Sequence, residues 1–253
     1  MRSPAPLPST EDPPGMTEPL HAVAYVHEPH EGLARLGPFL EAAGFRLEER
    51  FRAPDPRSDV NAALLVVLGG PMGVYEADQF PFLRLEQEVL RARLATGRPS
   101  IGLCLGAQLL AAAAGSTVHR GRHGKIIGVG AVHRVPGAAS DALLRELPET
   151  FDVVHWHGDT FEPTPGTALF TGEPYLAQGF RVGSSVGLQF HAELGPEGFR
   201  SWIEGSAGAL RTRGRTPEAL LASGIPRLQA SLPALDRLLE GLARQARAAA
   251  GPA

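Results

Sequence analysis

The single cysteine of the chain, Cys104, lies in a Gly-x-Cys-x-Gly pattern within the stretch SIGLCLGAQLL. A cysteine thiolate is a strong nucleophile, although a lone cysteine is more often a small buried residue without a chemical role. An apolar run precedes Cys104 and an alanine-rich helical segment follows it, which predicts a sharp strand-to-helix turn at the cysteine. Gly102 and Gly106 would let the helix and the neighbouring strand approach closely. The pattern therefore favours a nucleophile.

Backbone amides near Cys104 could stabilise a negative charge formed during attack. The start of the predicted helix favours the thiolate, and its first free amide is that of Leu105. The glycine-rich stretch LGGPMGVYE follows another buried strand, and there the amide of Gly70 could be a second donor to an oxyanion. The alternative is that this stretch is only a tight turn.

A nucleophilic cysteine needs a base, and the stretch GLQFHAE contains a histidine and a carboxylate two residues apart. Side chains alternate along a strand, so we expect His191 and Glu193 to share one face while Ala192 points away. The carboxylate would hold the imidazole in one tautomer and favour its charged form. The pair follows an apolar run, which places it at the end of a buried strand, where open α/β sheets carry their sites.

The elements that must position these residues alternate between strands and helices. HAVAYVHE, NAALLVVLGG and PSIGLCL predict buried strands, whereas EGLARLGPFLEAAG and FPFLRLEQEVLRARLATG have helical spacing. This alternation predicts an α/β fold with an open, mostly parallel sheet flanked by helices on both faces. After Gly115, short strand-like pieces predict a small antiparallel excursion and a return to the main sheet. The stretch PEGFRSWIEGSAGALRTRG then predicts a closing helix.

The chain divides into three parts by composition. Residues 1–20 are proline-rich and predict a disordered leader, and residues 21–212 form the predicted domain. Residues 213–253 have apolar residues at helical intervals and predict a helical extension. Packing of the extension on the domain is the favoured interpretation. A dimerisation helix, and hence a homo-oligomer, is the alternative.

Charge and composition limit the partners that we expect. The formal net charge of −3 gives no electrostatic reason to expect nucleic acid or an anionic membrane surface. No apolar run is long enough to span a bilayer, and one cysteine cannot form an internal disulfide. With no apolar run typical of a signal peptide, these features predict a cytoplasmic protein.

The stretch HWHGDTF has a spacing that could bind a metal. His155, His157 and Asp159 would alternate on one strand face, but no further cluster with metal-ligand spacing accompanies them. We therefore expect neither a metal nor another cofactor.

Four stretches occur in order: GGPMGVYE, GLCLGAQLLA, HWHGD and QFHAE. Together they resemble the class I glutamine amidotransferases, which use a Cys-His-Glu triad, and the resemblance is close to the amidotransferase domain of GMP synthase and to stand-alone amidotransferases similar to it. The resemblance extends from about Ala22 to Arg211. It implies hydrolysis of the side-chain amide of glutamine, with Cys104 as nucleophile, His191 as proton carrier and Glu193 as its orienting partner.

The resemblance also assigns roles around the triad. The amides of Gly70 and Leu105 would form the oxyanion hole, and Gln108 would contact the substrate glutamine. The segment that grips the amino-acid end of glutamine aligns with His157, Gly158 and Asp159.

Two positions depart from the family pattern. Ala192 stands where relatives often have proline, in a position that should point away from the site. Lys125 stands where relatives often have an acidic residue, in a region that tends to face the partner, so the docking partner is left open.

The fate of the ammonia is also left open. No phosphate-binding loop or synthetase-sized region follows the predicted domain, so a separate synthetase subunit would have to use the ammonia. One alternative is a γ-glutamyl hydrolase that acts on another small γ-glutamyl compound. The other is a catalytically idle, amidotransferase-like binding protein.

Overall fold

A computed structural model of the chain describes residues 18–251 and folds them around one large sheet. The described part contains seven α-helices: α1 Leu36–Ala42, α2 Pro56–Asp59, α3 Phe82–Thr96, α4 Leu105–Ala113, α5 Pro196–Gly205, α6 Ala207–Thr212 and α7 Pro217–Ala250. It also contains eleven strands: β1 Leu20–Val26, β2 Phe45–Phe51, β3 Leu64–Val67, β4 Ser100–Leu103, β5 Val118–Arg120, β6 Ile126–Arg134, β7 Thr150–His157, β8 Asp159–Phe161, β9 Thr167–Gly172, β10 Gly179–Val182 and β11 Ser185–Leu188. Nearly all of the predicted leader lies outside the described residues.

The main sheet has the strand order β2-β1-β3-β4-β11-β10-β9-β6-β7. The first five strands in this order run parallel to their neighbours, and the last four pair in antiparallel fashion. Strands β5 and β8 form a separate two-stranded sheet. The chain therefore makes the predicted antiparallel excursion between β4 and β11 and then returns to the parallel half through β11.

Helices cover both faces of the sheet because alternate residues of its central strands point to opposite sides. Val23 and Val67 belong to a core cluster that includes residues of α3 and α4. Ala22 and Val66 belong to a second cluster, which includes residues of α1, α5 and α7. A sheet buried on both faces needs continuous apolar strands, and these are what the sequence contains. The predicted fold class is confirmed.

The last long element, α7, packs against β6 and β7 of the sheet and against α1 and α5. Its apolar residues Leu235, Leu238 and Leu242 are buried. The helix continues through Pro226 and Pro233, so it covers the C-terminal part of the chain as one element.

The predicted closing helix is divided in two. It breaks at Ser206, the residue that separates α5 from α6, in the stretch Gly-Ser-Ala-Gly. Glycine and serine are unfavourable in helix interiors, so ending one helix and starting another at these residues costs little free energy. No helix in residues 18–251 is both long and apolar enough to cross a membrane.

Candidate active site

Cys104 lies at the turn between β4 and α4 with φ 52° and ψ −104°. This is an unfavourable backbone conformation for a residue with a side chain, and such strain is found where the surroundings hold a residue in place. The Cys104 amide donates to the Leu188 carbonyl at 2.8 Å. A Cβ on Gly102 would overlap the Gly106 carbonyl, and a Cβ on Gly106 would overlap the Val67 carbonyl. The predicted sharp turn is thus observed, with glycines at its two closest approaches.

His191 and Glu193 lie beyond the end of β11 and not on a shared strand face, so that detail of the prediction is wrong. The ladder between β4 and β11 ends at Leu188, because β4 has already turned into the Cys104 turn. The His191 amide instead donates to Val154 of β7 at 2.9 Å. The two side chains still meet, with 2.7 Å between His191 Nδ1 and Glu193 Oε1, and both are buried.

The surroundings of His191 favour its charged form. Burial acts to lower the pKa of His191, but the charges of Glu193 and Cys104, together with hydrogen bonds to both, raise it well above its ordinary value. The edge of Trp202 packs on the imidazole with 4.8 Å between ring centres. The ring centres of Trp202 and Trp156 are 5.7 Å apart. The Trp156 carbonyl oxygen is 4.0 Å from the Cys104 sulfur.

The two predicted oxyanion donors are neighbours. A Cβ on Gly70 would lie 2.9 Å from Leu105 Cδ2, and a Cβ on Gly69 would lie 3.0 Å from His191 Cε1. Within residues 18–251, the amides of Gly70 and Leu105 donate to no backbone carbonyl. Leu105 directly follows Cys104, and Gly70 lines a cavity with it, so both amides lie near the nucleophile without a backbone acceptor among the described residues.

The predicted substrate-binding residues line one cavity with Cys104. This cavity has a volume of about 550 Å³, and its lining includes Gly70, Gln108, His157, Gly158 and Asp159. The Gln108 amide nitrogen donates to Gln189 Oε1 at 3.2 Å and to the Asp159 carbonyl at 3.4 Å.

The three residues whose spacing could suit a metal, His155, His157 and Asp159, lie on two different strands. His155 and His157 lie on β7, with 5.8 Å between their ring centres, whereas Asp159 begins β8 in the small sheet. His157 Nδ1 donates to the Asp159 carbonyl at 2.9 Å. The structure of residues 18–251 contains no group of three or more histidine, cysteine or acidic side chains arranged to hold a metal.

Burial keeps the two β7 histidines neutral. It lowers the pKa of His155 to about 4 and the pKa of His157 to about 3. The unfolded chain binds these protons near pH 6.5, so it binds more protons than the folded chain between that pH and the folded pKa values. The free energy of unfolding must therefore fall as the pH falls through this window.

This pH dependence can be measured with a His155→Met variant, which removes one of the two groups. Between pH 6.5 and 4.5, we expect the variant to lose about 2–3 kcal/mol less stability than the wild type. Urea unfolding at the two pH values checks this. The exposed His133 supplies the control, since His133→Gln should lose as much as the wild type. If His155→Met and the wild type lose equal amounts of unfolding free energy, His155 is not one of the histidines that burial keeps neutral.

Several residues that lie near the site were not predicted to be part of it. Glu31 follows β1, and its Oε2 would lie 2.8 Å from a Cβ on Gly69, while burial raises the pKa of its carboxyl group. Lys125 and Arg213 line the cavity, and burial lowers the pKa of Lys125. For Glu31 the sequence does contain a signal, which is its position. HEPHEGL directly follows a buried strand, and the carboxyl ends of parallel strands meet at one edge of the sheet.

The chain is similar to several known proteins. The family model described as glutamine amidotransferase class-I matches residues 39–203. A glutamine amidotransferase structure from Thermotoga maritima superposes with a TM-score of 0.79 and 32% identity, covering 90% of this chain and 98% of that one.

Two curated relatives are longer proteins. The chain is 33% identical over 150 residues to a cobyric acid synthase of Streptomyces avermitilis, covering 59% of this chain and 29% of the relative. It is 31% identical over 140 residues to a glutamine-hydrolysing GMP synthase of Thermosipho africanus, covering 54% of this chain and 25% of the relative. The chain thus spans less than a third of the length of these two relatives.

Proposed function

The chain belongs to the class I glutamine amidotransferase family, and from this membership we propose that it hydrolyses the side-chain amide of glutamine to glutamate and ammonia. One observation carries the proposal. Cys104 occupies a strained strand-to-helix turn beside a buried His191–Glu193 pair whose side chains are 2.7 Å apart. A nucleophile, a base and a group that orients the base are the parts that acyl transfer requires.

The reaction proceeds in two halves. The Cys104 thiolate attacks the amide carbon, and the amides of Gly70 and Leu105 stabilise the oxyanion that forms. Charged His191 gives its Nε2 proton to the leaving nitrogen, so the carbon–nitrogen bond breaks, ammonia leaves and a γ-glutamyl thioester remains. Neutral His191 then takes a proton from water, whose oxygen attacks the thioester. Glutamate leaves and the thiolate–imidazolium pair is restored.

Glu193 keeps the Nδ1 proton of His191 in place and stabilises the imidazolium. In Glu193→Gln the negative charge is lost, and the amide can present a donor to Nδ1 and so favour the wrong tautomer. We expect kcat for glutamine hydrolysis to fall on the order of 10³- to 10⁴-fold, with a much smaller change in KM. Steady-state glutamate release measures both constants. Glu197→Gln, an exposed change at the start of α5, should leave them unchanged, and a kcat within twofold of the wild type in Glu193→Gln would refute this role.

We further propose that a separate cytoplasmic synthetase subunit uses the ammonia. The support is the similarity to one part of a glutamine-hydrolysing GMP synthase of T. africanus, of which the matched segment makes up 25%. Glutamate release should then rise when the synthetase and its substrates are added to the purified protein. Modification of Cys104 by the glutamine analogue 6-diazo-5-oxo-norleucine would separate this function from an idle binding protein, in which Cys104 stays unmodified under every condition.

One observation supports the γ-glutamyl hydrolase alternative. Lys125 and Arg213 line the cavity, and neither makes a salt bridge with any residue among positions 18–251. Two cations without counter-ions would suit a γ-glutamyl compound with an additional anionic group. Comparing kcat/KM for glutamine with that for γ-glutamyl amino acids tests this. A preference for glutamine that increases with an added synthetase supports the amidotransferase, and a preference for the γ-glutamyl amino acid without a partner supports the hydrolase.

A further inference from the structure

A buried histidine–glutamate pair lies directly behind the glycine loop that follows β3. His27 is the first residue after β1, and Glu86 is on α3; both are fully buried. His27 Nδ1 is 2.8 Å from the Gly69 carbonyl oxygen, and its Nε2 is 3.0 and 3.1 Å from the two Glu86 carboxylate oxygens. His27 and Glu86 have no role in the proposed reaction, and neither is among the residues that line the cavity with Cys104.

The partners of His27 determine which of its ring nitrogens carries a proton. A carbonyl oxygen can only accept a hydrogen bond, so Nδ1 must be the donor to Gly69. Burial acts to lower the pKa of His27, but the hydrogen bond and the charge of Glu86 outweigh it and raise the pKa. In its charged form His27 donates from Nδ1 to the Gly69 carbonyl and from Nε2 to the Glu86 carboxylate, so one ring orientation satisfies both nitrogens.

The hydrogen bond to Gly69 also determines where the Gly70 amide points. The Gly69 carbonyl and the Gly70 N–H belong to one peptide unit, and this unit is trans, so the two bonds point in opposite directions. Holding the oxygen towards His27 directs the N–H away from it. His27 further limits the loop by contact, because a Cβ on Gly70 would lie 2.9 Å from His27 Cβ.

Two consecutive glycines have little intrinsic preference for one peptide orientation, so the loop needs an external restraint. We propose that His27 and Glu86 form a positioning pair that holds the Gly70 amide in its oxyanion-binding orientation. This inference rests on the proposed function, which makes Gly70 one of the two oxyanion donors. Glu86 orients His27, His27 orients the peptide, and neither touches the substrate.

Two double variants that differ only in the donor test the pair. His27→Leu/Glu86→Met removes the donor without leaving an unpaired buried carboxylate. His27→Asn/Glu86→Met keeps a donor, because the asparagine amide nitrogen occupies nearly the position of Nδ1. We expect kcat to fall about 10- to 100-fold in the leucine variant, less than the roughly 10²- to 10³-fold loss for a deleted oxyanion donor. We expect KM to stay within about twofold in both variants, and kcat to return to within about threefold of the wild type in the asparagine variant.

Tyr25→Phe is the control for losing a buried hydrogen bond that the His27–Glu86 pair does not make. The Tyr25 hydroxyl donates to Asp59 at 2.6 Å, and phenylalanine keeps the backbone carbonyl of this position, which accepts from the Leu68 amide at 3.1 Å. This variant should unfold at a lower temperature while keeping the wild-type kcat. A similar fall in kcat for Tyr25→Phe, or equal kcat values for the leucine and asparagine variants, would overturn the positioning role.

A measurement that needs no activity follows from the sequence, because Gly69–Gly70 is its only Gly-Gly pair. In protein labelled with carbonyl-¹³C and ¹⁵N glycine, a spectrum that correlates each amide with the preceding carbonyl contains one Gly-Gly peak, from Gly69 C=O and Gly70 N–H. We expect this peak to move upfield in ¹³C in the leucine variant and to return in the asparagine variant. An unmoved peak overturns the inference.

The outcomes separate the two proposals. If the wild type releases no glutamate and Cys104 is never modified, the proposed function fails, and the Gly-Gly peak still reports whether His27 holds the loop. If the wild type is active and the leucine variant keeps its kcat, the positioning role fails and the proposed function stands.

Discussion

Replacing Cys104 with alanine should lower kcat for glutamine hydrolysis by at least about 10⁴-fold, because no other group near the site can form the thioester. The fold should survive, since alanine is small and inherits the same backbone conformation. Glutamate release measures the loss, and circular dichroism with thermal unfolding checks the fold. Retained activity in a folded Cys104→Ala protein would rule out the mechanism.

Cys104→Gly supplies a matched comparison. Glycine adopts φ 52° without the steric cost that a Cβ brings, and that cost is about 1–3 kcal/mol at such a position. This variant should be as inactive as Cys104→Ala but more stable than it. Equal stability of the alanine and glycine variants would mean that the turn stores no strain in the nucleophile.

Gly106→Ala should have the largest effect on stability. Its Cβ would overlap the Val67 carbonyl oxygen, and Val67 belongs to β3, an interior strand between β1 and β4, which cannot move without disturbing both cores. A backbone clash at a central strand destabilises by more than about 4 kcal/mol, so we expect little folded protein. Soluble yield and the urea unfolding midpoint measure the effect.

Gly208→Ala is the control for this substitution. Gly208 is also a helical glycine, but a Cβ there would meet no atom within 4 Å. Alanine should keep or raise stability at this position, by up to about 1 kcal/mol. If Gly106→Ala unfolds like the wild type, the close contact between α4 and β3 is looser than the structure indicates.

Much of the fold could be predicted because its determinants are local. The strands around Val23, Val67 and Leu103 are continuous apolar runs between helical segments, and such runs report a sheet buried on both faces. The turn at Cys104 could be predicted for the same reason, since the glycines on either side of it constrain the backbone directly. Pairing His191 with Cys104 rested on the chemical requirement that a cysteine nucleophile has a base, together with the family resemblance.

Other parts of the site depend on contacts between distant segments. His27 and Glu86 are 59 residues apart and meet only once β1 and α3 pack around β3, so neither residue shows a local pattern. Glu31 and Arg213 likewise reach the site from loops, which carry no periodic signal. The end of β11 at Leu188 was missed because an apolar run does not reveal where its neighbouring strand stops pairing.

The two tryptophans of the chain both border the site. Trp202 packs edge-on against His191, and Trp156 lines the cavity with Lys125 Nζ 5.9 Å above its ring. A protonated imidazole quenches indole emission, and a ligand in the cavity changes the polarity around Trp156. The tryptophan emission of the protein is therefore an optical signal from one place, and it reports the occupancy of the cavity and the charge of the imidazoles beside Trp202 without any added label.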